Sequence, residues 1–289
     1  MSTSYTLLSS TVIRRIIIRA NARAFSTTQA RATLAGTVPY HESYVLLHTH
    51  QPLSQYPPKS KSPLWKKLTL KARSWGGIVN FSWSSTQPVH PGYSGLGEDG
   101  GEEFYYATAF SVDGAPLHIP EVSLANLDDV AGRLREHARS TQVTQETEEG
   151  RIDRESEADA RLHLYVCTHG SRDCRCGDTG GDVAKALHEE ITKRGLWDRL
   201  SLGQVAHVGG HKYAANVLVF PLGDWCVLGT VQPEDVPQVL SEALVRHSEL
   251  SSQVSSGSSR TPALPLCPPF WRGRMGLDKD DQLELAARS

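Results

Sequence analysis

Three cysteines and two histidines are the residues of this 289-residue chain whose types and spacing most clearly indicate chemistry. Cys167, Cys174 and Cys176 lie within ten residues of one another, although the whole chain has only five cysteines. His207 follows 31 residues after Cys176, and His211 comes four residues later. Thiolates and imidazoles are the ligands that zinc and iron–sulfur centres use. Two cysteines and two histidines could therefore complete a four-ligand shell around a metal.

The histidine pair by itself is weak evidence for a metal site, and the cysteine cluster is stronger evidence. Twelve histidines in 289 residues give about 0.5 pairs at this spacing by chance. The intervening Gly209-Gly210 argues against a helical zinc site, because glycine costs a helix roughly 1 kcal/mol. It favours a tight loop whose backbone passes close to a bulky inorganic group. Three alternatives stay open: an iron–sulfur centre, a structural zinc domain with the same ligands, and a thiol–disulfide oxidoreductase that uses Cys174 and Cys176.

The elements around these residues predict an α/β unit over 161–248. Arg161–Thr168 alternates apolar and polar residues, which indicates a strand with Cys167 at its C-terminal end. A glycine-rich turn and then a helix over Asp182–Arg194 are expected next. Short strands follow over 205–207, 214–220 and 225–231, and a helix opens at Pro233. This order, β-α-β-β-β-α, suits a unit of thioredoxin type.

The rest of the chain divides into three further segments. Residues 40–140 predict an N-terminal α+β domain, for which a second thioredoxin-like arrangement is one option. The acidic segment 141–160 has few apolar residues, so we expect a solvated linker. The Ser- and Pro-rich residues 249–289 predict a flexible C-terminal tail in which Cys267 is exposed. Cys226 lies in an apolar strand, where we expect an inert thiol.

Composition excludes several classes of protein. Thirty basic and 32 acidic residues give a net charge of −2, which disfavours a nucleic-acid-binding protein. No apolar run of about 18 residues occurs, so we expect no membrane insertion. Five cysteines are too few for a disulfide-stapled scaffold. A chain with 39% hydrophobic residues can bury a core.

The first 25 residues are typical of a mitochondrial transit peptide. They carry four arginines and no acidic residue, and the first acidic residue anywhere is Glu42. Serines and threonines surround the arginines, and the arginines interrupt the apolar run that a secretory signal would need. The segment Arg23-Ala24-Phe25-Ser26 is similar to a matrix-protease site cut after Phe25. We therefore expect import into mitochondria, with the matrix as the destination.

The two motifs together resemble the sucrase/ferredoxin-like family. The pattern C-x-H-x-x-R-D-x-R-C-G begins at Cys167, and H-x-G-G-H begins at His207. The resemblance also includes 75–83 (WGGIVNFSW) and 271–277 (WRGRMGL). It implies a thioredoxin-like ferredoxin whose [2Fe–2S] cluster is held by Cys167, Cys176, His207 and His211. Cys174 falls on a variable position of the family pattern and is interpreted as a non-ligand.

The resemblance also bears on the neighbours of the four ligands. His169 is interpreted as a structural residue, because the companion C-x-x-H of a Rieske centre is missing. Arg172 and Asp173 are expected to pin the loop by pairing with each other or with backbone. Lys212 and Asn216 are candidates for hydrogen bonds to the centre, although a surface lysine and a strand-start asparagine are equally good interpretations.

Replacing two thiolates by imidazoles lowers the negative charge on such a cluster and raises its reduction potential. The ligands therefore imply an electron carrier or redox sensor, with proton transfer able to accompany electron transfer at the imidazoles. A protein of this kind would exchange electrons with redox partner proteins and would catalyse no reaction of its own.

Overall fold

The computed structural model describes residues 34–93, 102–112, 115–139, 161–220, 226–255 and 264–289. The transit-peptide prediction for residues 1–25 and the linker prediction for 141–160 lie outside these residues. Five α-helices and nine strands are assigned in the described residues. The strands are β1 (Ser43–His48), β2 (Gly77–Trp83), β3 (Tyr105–Ser111), β4 (Leu117–Val122), β5 (Leu162–Cys167), β6 (Leu200–Val205), β7 (Val217–Phe220), β8 (Cys226–Leu228) and β9 (Trp271–Arg274). The helices are α1 (Pro63–Ala72), α2 (Leu127–Arg139), α3 (Cys174–Arg194), α4 (Val236–Ser255) and α5 (Lys279–Ala286).

The nine strands form one sheet in the order β4-β3-β1-β2-β6-β5-β7-β8-β9. In the second half, β5 and β6 are parallel and joined through α3, and β7 and β8 add antiparallel. This is the thioredoxin-like β-α-β-β-β-α unit predicted from the sequence. The first half repeats the arrangement with β1, α1, β2, β3, β4 and α2. The first half therefore has the second thioredoxin-like arrangement that the sequence analysis offered as one option.

The two halves join where β2 pairs antiparallel with β6 through Ser82 and Trp83. Their helix-free sheet faces also pack together, and the Phe110 and Phe220 rings stack with centroids 4.3 Å apart. A continuous sheet can bring these two faces into contact only by curving back on itself. Both faces of β1 and β5 are consequently buried. Alternate residues of β5 therefore point to two different buried faces, one covered by helices and the other by the sheet of the first half.

Helix α3 begins eight residues before the predicted start, at Cys174. Asp173 is its N-cap and accepts a hydrogen bond from the backbone N–H of Arg175. The expected glycine-rich turn is therefore helical. Gly180 is required there, because a Cβ atom at this position would lie 2.0 Å from the carbonyl oxygen of Cys167. The glycines let α3 approach the end of β5 closely.

The prediction of a flexible tail over 249–289 is wrong for the described part of that segment. Trp271–Arg274 forms β9 and pairs with β8, and α5 packs behind it. Cys267 is buried rather than exposed, and its backbone N–H donates to the Glu242 carboxylate. Strand pairing with a partner about 45 residues earlier orders residues whose composition alone suggests disorder. No helix of the described residues has the length and apolar character that crossing a membrane requires.

Candidate metal centre

Three elements of the second half bring the candidate ligands to one edge of the sheet. Cys167 is the last residue of β5 and lies opposite Val205, the last residue of β6. His207 follows β6 by two residues, so parallel pairing places it beside Cys167. Cys176 lies in the first turn of α3, which begins at this same edge.

Cys167, Cys176 and His207 form a group that could hold a metal ion. One donor atom from each lies within 4.8 Å of the other two. The Cys176 Sγ and His207 Nδ1 atoms are 3.7 Å apart. Both cysteines are buried, whereas His207 is half-buried. Two sulfurs and one imidazole nitrogen match the donors that iron–sulfur and zinc centres use.

The two sulfurs are coupled through one proton. The Cys176 thiol donates a hydrogen bond to Cys167, which lowers the pKa of Cys167 even though burial opposes the shift. The same hydrogen bond, together with burial, raises the pKa of Cys176. Two adjacent buried thiolates repel each other unless a cation lies between them. The donor set therefore fits a bound metal ion, because a cation between the sulfurs would take the place of the remaining Cys176 proton.

His211 reaches the same edge but does not belong to the three-residue group. Its ring stacks on that of His207 with centroids 5.5 Å apart and planes 28° apart. The His211 side chain is 46% exposed, and its Nδ1 lies 3.6 Å from the Asp173 carboxylate. The structure thus brings the four predicted residues to one place and joins three of them through their donor atoms.

His169 has a structural role, because both of its ring nitrogens are engaged. Its Nε2 lies 2.9 Å from the carbonyl oxygen of Pro57. Its Nδ1 accepts a hydrogen bond of 3.3 Å from the backbone N–H of His207. These contacts require the tautomer protonated at Nε2. His169 thereby holds the backbone that carries one candidate ligand.

Arg272 is a residue of this region that sequence reasoning missed. It is only 3% exposed and donates to Asn216 Oδ1 at 2.6 Å and to Thr37 at 3.0 Å. Gly210 has a φ of +66°, and a Cβ atom there would lie 2.4 Å from the Arg272 guanidinium. The loop therefore needs glycine at position 210 because the Arg272 side chain lies against it, rather than an inorganic group. The sequence signal of Arg272 is the WRGR segment, which by itself does not indicate burial.

Asn216 connects Arg272 to the histidine loop. Its amide donates to the carbonyl oxygen of Gly210 at 3.3 Å while its oxygen accepts from Arg272. The guanidinium also lies 4.7 Å above the Tyr213 ring. The 207–211 loop therefore rests on a buried, hydrogen-bonded cation.

The remaining predicted neighbours take the simpler of the expected roles, since Arg172 and Asp173 both pair with backbone groups of the loop. Asp173 pairs with Arg175 at 2.9 Å, not with Arg172. Arg172 contributes its backbone N–H to the carbonyl oxygen of His169. Cys174 is exposed and does not belong to the three-residue group. Lys212 lies on the surface above the Tyr213 ring.

The chain is similar in sequence to several known proteins. The Sucrase/ferredoxin-like family model matches residues 34–256. Altered inheritance of mitochondria protein 32 of Meyerozyma guilliermondii is 33% identical over 107 residues, which is 37% of this chain and 38% of that protein. The Debaryomyces hansenii protein of the same name is 30% identical over 44% of this chain and 45% of that protein. Actin patches distal protein 1 of Saccharomyces cerevisiae is 32% identical over 29% of this chain and 30% of that protein.

These alignments span less than half the length of each curated relative. Among solved structures, a thioredoxin-like [2Fe–2S] ferredoxin from Aquifex aeolicus matches with a TM-score of 0.29 and 16% identity. The match covers 41% of this chain and 96% of that one.

Proposed function

Because the chain belongs to the sucrase/ferredoxin-like family, we propose that it is an electron carrier or redox sensor with a [2Fe–2S] cluster. The proposed ligands are Cys167, Cys176, His207 and His211. The observation that carries the proposal is the compact group formed by the first three of these residues. When bound, the cluster would accept and release one electron.

The donor residues form two pairs, which supports a centre with two metal ions. Cys167 and Cys176 share a hydrogen bond, and the rings of His207 and His211 stack. A thiolate pair can serve one iron and an imidazole pair the other. The Asp173 carboxylate lies 3.6 Å from His211 Nδ1 and can orient that ring by pairing with its outer N–H.

Each protein group has a distinct role in this proposal. The two buried sulfurs bind the metal and exclude water from it. The N-terminal end of α3 favours negative charge at Cys176, since the helix dipole is positive there. His169 fixes the backbone of His207, and the Arg272–Asn216 pair supports the loop between the two histidines. Proton-coupled electron transfer follows if the imidazoles lose outer protons on oxidation.

The first experiment is the visible spectrum, iron content and sulfide content of protein purified anaerobically from iron-replete cells. We expect a red-brown protein that loses its colour in Cys167→Ser and Cys176→Ser. Cys174→Ser is the matched control and should keep the full spectrum. A colourless protein with stoichiometric zinc would overturn the proposal and establish a zinc centre in these residues.

The histidines are tested by redox titration between pH 6 and pH 10. If both are ligands, the reduction potential should fall by up to about 59 mV per pH unit above the oxidised-state pKa of the imidazoles. His207→Cys and His211→Cys should lower the potential and flatten this dependence, since each adds a thiolate. A pH-independent potential that neither variant changes would contradict histidine ligation. Cys174 would then be the next candidate ligand.

We also propose a mitochondrial location, with redox partner proteins in the matrix. The arginine-rich start of the sequence and the names of the relatives support this location. N-terminal sequencing of protein from its own cells should find a mature end near Ser26. An intact Met1 or a cytosolic distribution would contradict import.

A further inference from the structure

A cavity of about 380 Å³ lies beside the candidate metal centre, between the two halves of the chain. The first half contributes the loop before α1, the start of α1 and strand β2. The second half contributes the loops that follow β5 and β6, including the candidate ligand His207. Small-molecule sites typically have volumes of about 300–1,000 Å³. The cavity therefore has the size of a small-molecule site, and one candidate ligand of the centre, His207, forms part of its wall.

Aromatic side chains form one part of its lining. The rings of Tyr56 and Phe81 have centroids 5.0 Å apart, and those of Trp65 and Phe81 stack at 6.1 Å. Phe81 is buried, whereas Trp65 is half-buried. Aromatic side chains in a cavity lining supply apolar contact and edge or face contacts for an unsaturated, planar ligand.

Positively charged side chains form another part of the cavity lining. Lys59 and Arg172 both line the cavity and are exposed at its surface. Among the described residues, neither cation has a carboxylate partner, and no carboxylate lines the cavity. The neighbouring Asp173 is paired with Arg175 instead. Two such cations attract an anion, and the arginine can hold it in two hydrogen bonds.

We propose that this cavity binds a small planar anion, and that the charge of the bound anion adjusts the reduction potential of the metal centre. Reduction adds an electron to a centre whose ligand His207 lines the cavity. A bound anion therefore opposes reduction and favours the oxidised state. By linkage, the oxidised protein must bind the anion more tightly than the reduced protein by the same factor. The binding site stands independently of the proposed function, and only the redox coupling rests on it.

The binding test uses naphthalene-2-sulfonate as a probe and the full-length purified protein, by calorimetry at low salt. Naphthalene-2-sulfonamide is the neutral control ligand. Lys59→Gln and Arg172→Gln should each weaken sulfonate binding about two- to fivefold, the range for partly exposed ion pairs. Added salt should weaken it further because it screens exposed charges. Lys67→Gln removes a surface lysine outside the cavity and should have no effect.

Filling the cavity supplies a variant that does not depend on charge. Ser60→Trp places a large ring among the lining residues and should abolish binding of the probe. Absence of binding to the unaltered protein would overturn the site, and so would equal affinities in the unaltered protein and in the Lys59, Arg172 and Ser60 variants. Equal affinity for the sulfonate and the sulfonamide would overturn its selectivity for anions.

The redox test is the reduction potential of the coloured protein with and without saturating probe. A fivefold tighter affinity of the oxidised state, at the lower end of typical coupling, lowers the potential by about 40 mV on the scale where tenfold is 59 mV. Lys59→Gln and Arg172→Gln should reduce this shift at a fixed probe concentration. Binding without any shift would overturn the coupling. A colourless protein that still binds the probe would overturn the proposed redox function and leave the site standing.

Discussion

Replacing Arg272 with glutamine tests whether a buried cation supports the loop that carries His207 and His211. Burial lowers the pKa of Arg272 to about 10, so the side chain stays charged at neutral pH. Its donors reach Asn216 Oδ1 at 2.6 Å and both oxygens of Thr37 at 3.0 Å. A shorter, neutral side chain leaves these acceptors without their partner inside the protein. The loop then loses the contact beneath Gly210.

The expected loss of stability is large because the contacts are buried and charged. Each buried acceptor that loses its hydrogen-bond partner costs about 1–3 kcal/mol, and Arg272 serves acceptors on both Asn216 and Thr37. The electrostatic effect on the centre is smaller and has a definite sign. The hydrogen bond from Cys176 is the main cause that lowers the pKa of Cys167, and the positive charge of Arg272 adds to it in the same direction, so this charge favours added negative charge at the centre. An interaction on the order of 1 kcal/mol corresponds to a drop of about 40 mV in the reduction potential after its removal.

The assays are urea unfolding and redox titration of Arg272→Gln, with Arg272→Lys and Arg288→Gln beside it. Arg272→Lys keeps the charge but not the planar arrangement of donors, so it should lose stability and keep most of the potential. Arg288→Gln removes an exposed arginine at the C-terminus and should change neither quantity by a measurable amount. Unchanged stability and potential in Arg272→Gln would refute this account of the loop.

The other predictions concern the approach of α3 to β5 and the buried histidines. Gly180→Ala should cost about 1–3 kcal/mol or more from overpacking, because its Cβ atom would meet a backbone carbonyl oxygen at 2.0 Å. Gly181→Ala has open space and should gain about 0.5–1 kcal/mol in urea unfolding, and equal effects of the two would contradict this packing. Burial lowers the pKa of His48 and of His163 to about 3, below the value of about 6.5 in an unfolded chain. The unfolded chain therefore binds more protons below about pH 6.5, and the free energy of unfolding should fall by up to about 1.4 kcal/mol per pH unit for each histidine as the pH drops. A constant free energy of unfolding between pH 7 and pH 5 would contradict neutral burial of these residues.

Most elements could be predicted from local pattern. The strand that ends at Cys167, the body of α3, helix α4 and the hairpin strands β7 and β8 follow from alternation and helical spacing over about ten residues. Strand β6 is expected over 205–207 but lies at Leu200–Val205, and β9 and α5 are not expected from the pattern. Strand β4 could not be found this way, because Pro120 interrupts its apolar pattern. The structure explains that proline, since β4 lies at an edge of the sheet where a missing backbone donor is tolerated.

The candidate site shows the same division. The family resemblance implied Cys167, Cys176, His207 and His211 as ligands, and the structure brings the donor atoms of the first three together. The sequence did not predict the burial of Arg272, because the WRGR segment follows a Ser- and Pro-rich stretch that is typical of a tail. Pairing of β9 with β8 orders that segment and moves Arg272 beneath the histidine loop.

The sequence by itself determined the residue types that can bind a metal, their positions after strands, and the β-α-β-β-β-α order of the second domain. These properties depend on neighbours along the chain. Only the tertiary structure decided that the halves share one curved sheet, that Arg272 supports the histidine loop, and that a cavity opens beside His207. Each of these depends on contacts between residues far apart in sequence. Such contacts arise when distant apolar faces and backbone groups find partners, and no local pattern specifies which partner that will be.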